Sequence, residues 1–366
     1  MLFFGLLALP VINSVFKFAE FERKDENRAF KDELTIDINT LDDFPAACDS
    51  FVNDNFSFRK PLLDFHSELK FSFFGISPHP DQTIVGYDEW YFLAGDEVDI
   101  FTGKSDFTDK QLKEYKVEWE RRSKYLEDKN IKFHWLICPN KHSVYPEKLP
   151  FNILPSKNGL RTAQLARYLN KSFPGLVIDP TSQLIAAKKS EKVFYQLDNH
   201  WNDKAGYITS KLLMSKINAD FPEEKIAFQG DFRWKDSTIS QGIHYTVIGR
   251  DELSETVKYM YNPDEKAEKG FVMKFSSPKG FAYPWEYERN FAKVNDSTGK
   301  TILIIRDSFG QCLMPFIKES FSKSVFIFDA WKYRLNEHII ETVKPDIVIY
   351  ITVETNLTAF IEASKF

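Results

Sequence analysis

The sequence predicts an α/β protein whose central sheet is parallel and covered on both faces. Two features carry that reading. Thr301-Ile302-Leu303-Ile304-Ile305 is an unbroken β-branched and aliphatic run and residues 347–352 are rich in Ile and Val, the mark of strands buried on both faces rather than half-exposed strands of alternating polarity. These runs alternate with segments of helical period, the order that builds βαβ units. Composition agrees: 366 residues, 43% hydrophobic and 28% charged, can bury a full α/β core with an appended or inserted region and do not describe a disordered chain.

Residues 1–18 form an apolar run, broken at Asn13, Ser14 and Lys17 and followed by the charged stretch Glu20-Phe21-Glu22-Arg23-Lys24-Asp25-Glu26. The run is shorter than a typical ~20-residue span and reads as a signal segment or a membrane anchor. It lacks a basic start, as expected if translation begins a few codons upstream. Residues 30–110 read as an N-terminal extension whose apolar positions are largely phenylalanine, with a strand over 87–93. A helix is expected over 108–128, where Leu112, Tyr115, Trp119 and Tyr125 fall near one face. A core strand at 131–138, a helix at 160–171, a strand at 175–179 and a helix at 203–216 follow. Between 226 and 298 short aromatic and polar runs alternate, including 228–234, 245–248 and 270–275, which predicts a β-rich insertion within a domain running from 26 to 366. The last section places a strand at 301–305, a helix at 311–321 with Leu313, Phe316 and Ile317 on one face, a strand at 324–328, a helix near 335–343 and a strand at 347–352.

The residues that carry chemistry are Asp198, His200 and Ser308. A serine hydroxyl is a poor nucleophile at neutral pH, so an imidazole must take its proton and a carboxylate must hold that imidazole in the right tautomer. In extended chain residues i and i+2 point to one side, so Asp198 and His200 can cooperate. Ser308 sits where a buried strand turns into a helix, which raises its hydroxyl above the sheet edge beside unpaired N–H groups that stabilise an oxyanion. A serine at such a junction also serves as a plain N-cap, and an Asp-x-His pair also occurs on surfaces without function. The conjunction of strand, turn, dyad and the following Trp201 favours the catalytic reading.

Parallel sheets hold their sites at the carboxyl ends of their strands. Lys141 and Tyr145 follow one such end, Arg334 another and Glu354 a third, which makes them candidate substrate-binding residues. Trp201 either stacks on a sugar ring or packs behind the imidazole. The high aromatic content, 16% with 35 Phe, fits a phenylalanine-filled core or exposed rings that stack on sugars. Cys48, Cys138 and Cys312 are too few and too scattered for a metal site or a disulfide framework, and the remaining histidines show no ligand spacing. No phosphate-binding loop, dinucleotide fingerprint or H-E-x-x-H is present, so neither metal nor cofactor is expected. A net charge of −5 without a Lys/Arg stripe argues against a nucleic-acid partner.

The segment Asp198-Asn199-His200-Trp201-Asn202-Asp203-Lys204-Ala205-Gly206-Tyr207 resembles the D-x-H-W block of SGNH-hydrolase-like proteins of the AlgJ/AlgX and DHHW type, and Arg306-Asp307-Ser308-Phe309-Gly310 resembles their nucleophile block. Further matches are Glu26-Asn27-Arg28, Asn53-Asp54-Asn55-Phe56-Ser57-Phe58-Arg59, Gly86-Tyr87-Asp88-Glu89-Trp90-Tyr91-Phe92 and Pro139-Asn140-Lys141. The resemblance implies a flavodoxin-like, three-layer α/β/α SGNH fold and O-acetyl transfer to an extracellular or cell-envelope polysaccharide, with Ser308, His200 and Asp198 as the triad. It further implies a periplasmic or other extracytoplasmic place in exopolysaccharide biosynthesis, and an acyl donor supplied by a membrane-bound acyltransferase of the MBOAT type. Arg306 departs from the small residue usual before the Asp in alginate acetyltransferases and ordinary SGNH enzymes, and favours the DHHW branch. A carbohydrate esterase with the same triad and a non-catalytic polysaccharide-binding scaffold remain as alternatives.

Overall fold

The structure, a computed structural model, describes residues 8–10, 12–13, 16–19, 31, 33–36, 38–224, 226–240, 242–248, 253–269, 275–293, 299–329 and 332–362. Much of the expected N-terminal anchor, Glu26-Asn27-Arg28 and most of the run 270–275 lie outside the described residues. The chain divides into two units, residues 1–80 and 81–366. The smaller contains the helices Phe44–Asn55 and Arg59–Phe74, the second closed by Gly75 at φ 61°, a left-handed value that suits glycine. No helix among the described residues is long and apolar enough to cross a membrane.

In the larger unit the strands are β1 (Thr83–Val85), β2 (Tyr91–Leu93), β3 (Lys132–Cys138), β4 (Val177–Ile178), β5 (Arg233–Ile239), β6 (Glu255–Tyr261), β7 (Ala267–Lys269), β8 (Glu288–Lys293), β9 (Thr301–Arg306), β10 (Lys323–Phe328) and β11 (Ile347–Val353). Seven of them form one sheet in the order β4-β3-β11-β9-β10-β8-β7, parallel from β4 to β10 and closed by the antiparallel β8 and β7. The aliphatic runs explain the layering, because alternate residues face opposite sides. Ile302, Ile304, Ile349 and Ile351 join one core with Leu213 and Ile217 of the helix Asp203–Asp220. Leu303, Ile305, Val348 and Tyr350 join the other with Trp119 and Leu126 of the helix Asp109–Glu127. That second helix starts at a capping box: Gln111 N–H donates to Thr108 Oγ1 at 3.3 Å, and Thr108 N–H to Gln111 Oε1 at 2.9 Å.

Three expectations need correction. Residues 87–93 are not one strand, because Asp88 and Glu89 take left-handed φ values of 56° and 60° and turn the chain between β1 and β2. Residues 311–321 are not one helix: a 3-10 turn, Ser308–Leu313, leads into the short helix Met314–Ile317 and a second 3-10 turn, Lys318–Ser320. Pro315, with no N–H to donate, sits in the first turn of that helix. Residues 245–248 belong to the helix Ile243–Ile248 rather than to a β run. Around it, β5 and β6 form a separate antiparallel hairpin, while β7 and β8 extend the main sheet.

Candidate active site

The carboxyl end of β9 delivers Arg306 and Asp307 into the interior and Ser308 into an open cleft. The N-cap of the turn after β9 is Asp307, not Ser308: its carboxylate accepts from Phe309 N–H at 2.9 Å. Its second oxygen accepts from Tyr333 Oη at 2.9 Å and from Val353 N–H at 2.6 Å, which ties the turn to the end of β11. Burial raises the pKa of Asp307, and the three donors only partly oppose it. Ser308 thus keeps its hydroxyl free of a capping role. Its N–H, at the first position of the turn, has no acceptor among the described residues.

Behind Asp307, the guanidinium of Arg306 is fully buried. It donates to Asp307 O at 3.1 Å and Glu286 Oε2 at 3.1 Å and lies 4.6 Å from the centre of the Phe328 ring. The basic residue at this position therefore braces the turn from inside. Gly310 is required beside it, since a Cβ there would lie 2.7 Å from Arg306 Cβ.

Residues 193–202 bring the other half of the site. The loop is closed by Tyr195 N–H on His200 O at 3.2 Å and Asn202 N–H on Val193 O at 3.1 Å. Asn202 caps the following helix through Lys204 and Ala205 N–H. Trp201 is fully buried and its Nε1–H donates to Phe309 O at 2.9 Å, fastening this loop to the nucleophile turn. It also borders the cleft, but the packing reading of its ring is the one realised. Gly206, one turn into the helix, lets the two segments approach: a Cβ there would meet Cys312 O at 2.4 Å.

Together these elements set a relay. His200 Nδ1 lies 2.6 Å from Asp198 Oδ1, and His200 Nε2 lies 2.8 Å from Ser308 Oγ. With Nδ1–H donating to the carboxylate, Nε2 is the acceptor for the serine proton. Asp198 is held further by His200 N–H on Oδ1 at 2.9 Å and Ile243 N–H on Oδ2 at 3.0 Å. Burial opposes the Asp198 charge, but these bonds and the imidazole outweigh it and hold the pKa well below the carboxylate range. For His200 burial disfavours the imidazolium, and the bonded carboxylate outweighs it, so its pKa lies above that of an ordinary histidine.

The cleft has a volume of about 830 Å³. Its far wall comes from Thr238 and Ile239 of the hairpin, with Ser240, Gly242 and Ile243, residues no motif marked; Gln311 and Cys312 line the near side. Lys141, Tyr145, Arg334 and Glu354 do not reach it. Lys141 is 1% exposed, with its amine on main-chain carbonyls; Tyr145 is 4% exposed, stacks on Trp90 at 4.0 Å and accepts from Val193 N–H. Glu354 is 0% exposed and accepts from Asn140 N–H, Ser143 Oγ and Thr162 Oγ1. Arg334 is exposed, its main chain fixed by Asp329. Strand ends carry polar side chains for anchoring as well as for chemistry, and three of these four are anchors. The three cysteines are free thiols, and no cluster among the described residues is placed to hold a metal ion.

Residues 83–269 match the family model of the SGNH hydrolase-like domain, acetyltransferase AlgX. The chain belongs to this family. Solved structures similar to it are Bacillus cereus PatB1, at 16% identity and a TM-score of 0.53 over 76% of this chain and 97% of that one, and the O-acetyltransferase domain of Pseudomonas putida AlgJ, at 13% identity and 0.53 over 78% and 95%. A DHHW family protein from Eubacterium siraeum matches at 16% identity and 0.46 over 75% and 91%. No curated protein matches the sequence. The fold is SGNH hydrolase-like, and the chain carries an acetyltransferase-like SGNH domain.

Proposed function

We propose that the protein transfers an acyl group, acetyl by its family, to a hydroxyl of an extracellular or cell-envelope polysaccharide through an acyl-Ser308 intermediate. The observation that carries this reading is the Asp198–His200–Ser308 relay, with both bonds in hydrogen-bonding range beside an open cleft. As Ser308 Oγ attacks the donor carbonyl, His200 Nε2 takes its proton, and the Ser308 N–H faces the developing oxyanion. His200 then returns that proton to the leaving group, and acyl-Ser308 remains. A sugar hydroxyl gives its proton to His200, attacks the acyl carbon and leaves as the ester, while the proton returns to Ser308. Asp198 orients the imidazole and stabilises its charged form throughout.

A donor made in the cytoplasm must reach an extracytoplasmic site, so the proposed partner is a membrane-bound acyltransferase of the MBOAT type, with residues 1–18 holding the chain at the membrane beside it. Water intercepting the same intermediate gives the esterase reading, and the hydrogen-bonded relay favours either enzyme over a non-catalytic scaffold. Purified protein with a chromogenic acetyl ester, with and without oligosaccharide acceptors, tests the proposal. Acetyl transfer to sugar that competes with hydrolysis supports it; hydrolysis that no sugar diverts leaves the esterase, and no turnover of any ester or polymer removes both.

A further inference from the structure

Residues 196–198 bend into the relay outside any strand, and β2 reaches them through one main-chain bond, Tyr91 N–H to Gln196 O at 3.1 Å. Most of their remaining main-chain bonds go to two buried side chains of opposite charge. Lys141 Nζ donates to Gln196 O at 3.0 Å, Asp198 O at 2.8 Å and Tyr91 O at 2.6 Å. Glu255 accepts from Gln196 N–H at 2.8 Å and Leu197 N–H at 2.9 Å, one bond to each oxygen. The remaining carbonyl, Leu197 O, accepts from His244 N–H at 3.2 Å. Lys141 comes from the core, just after β3; Glu255 comes from the first position of β6, on the hairpin.

We propose that Lys141 and Glu255 are positioning residues of the triad, gripping the main chain of 196–198 through its carbonyl and N–H groups and so fixing the Asp198 carboxylate against His200. The inference rests on the catalytic reading of that triad. Three carbonyl acceptors demand three N–H donors, which an ammonium supplies and a neutral amine does not. Burial draws the Lys141 pKa down to about 7, opposed by the carboxylates of Glu255, Asp198 and Glu97. Both side chains are costly to bury and neither touches the cleft, so packing alone does not account for them.

The test compares Glu255→Gln and Lys141→Met with wild type by acetyl-ester kinetics and by the far-downfield proton resonance of the His200–Asp198 bond. In variants that keep a cooperative melt, kcat falls by about 10²-fold with KM unchanged, and the downfield proton is lost or displaced. Glu255→Gln replaces one accepting oxygen by an amide that meets an N–H, and its place on the peripheral hairpin spares the main sheet should Lys141→Met fail to fold. In wild type, below neutral pH, ¹⁵N-lysine labelling reads the slowly exchanging ammonium expected of Lys141 without any variant. A folded variant with wild-type kcat and an unmoved downfield proton overturns the inference, as does a rapidly exchanging Lys141 ammonium. If wild type turns over no ester but its downfield proton is lost in Glu255→Gln, the acyl-transfer proposal fails while the clamp stands.

Discussion

Gly206→Ala gives a prediction whose sign is the reverse of helix propensity. Within the helix Asp203–Asp220 alanine is ordinarily worth about 1 kcal/mol over glycine. Here the added Cβ would stand 2.4 Å from Cys312 O and 3.0 Å from Cys312 C, both main-chain atoms of the turn that carries Ser308. An ordinary contact needs ~3.2 Å or more, so helix and turn must separate by roughly 0.8 Å. Overpacking of that kind costs about 1–3 kcal/mol, which outweighs the propensity gain and leaves a net loss of up to ~2 kcal/mol. The larger effect is on rate. The same displacement would stretch the 2.8 Å Ser308–His200 bond past useful length, and misplacement on the order of 1 Å costs about 10²-fold. Thermal melting and acetyl-ester kinetics on one preparation read both quantities. A variant that melts higher than wild type and keeps its turnover would refute the packing argument.

Other predictions address the relay and the N-terminus. Because His200 must be neutral and its pKa is raised, ester turnover climbs with pH through a transition above the usual ~6.5; a midpoint at or below that value contradicts the bonded pair. The His200 side of the Asp198–His200 pair contributes stability fully below the unfolded imidazole pKa and loses it as pH rises through the folded one; the depressed Asp198 loses its share as pH falls through its folded value. Asp198→Asn lowers turnover by about 10³–10⁴-fold with substrate binding kept, and full activity would leave Asp198 a structural partner only. Trp201→Phe removes the N–H that donates to Phe309 O and opens a void, at a cost of about 2–4 kcal/mol by denaturant unfolding; unchanged stability would contradict its role as the fastener between loop and turn. Deleting residues 1–18 lowers polymer acetylation in cells more than ester turnover by the purified chain, and an equal effect on both contradicts a membrane-held site.

What the sequence made legible was what depends on short, local patterns. The aliphatic run of β9 and the Asp-x-His-Trp block identify themselves, and their meeting across the fold follows from the chemistry they share. Backbone exceptions were not legible: the left-handed Asp88 and Glu89 break a run whose side chains read as a strand, and Pro315 leaves the segment after Ser308 in short turns. Nor was the difference between a polar residue that faces a cleft and one that anchors a loop. Lys141 and Glu354 follow strand ends as site residues do, yet their partners are buried groups far away in sequence. Glu255 carried no signal at all, because its role exists only once β6 brings it under Leu197.

The central claim, that Ser308 carries the acyl group, is tested most directly by intact-mass and peptide analysis of the protein quenched during turnover of an acetyl ester. Wild type gains one acetyl group, mapped to Ser308, and the gain disappears on addition of an acceptor that drains the intermediate. Ser308→Ala, folded as judged by its melt, shows neither acetylation nor turnover above the uncatalysed rate plus a residue of binding effects. Acetyl mapped to another side chain, or a Ser308→Ala variant that turns over ester at the wild-type rate, would contradict the account.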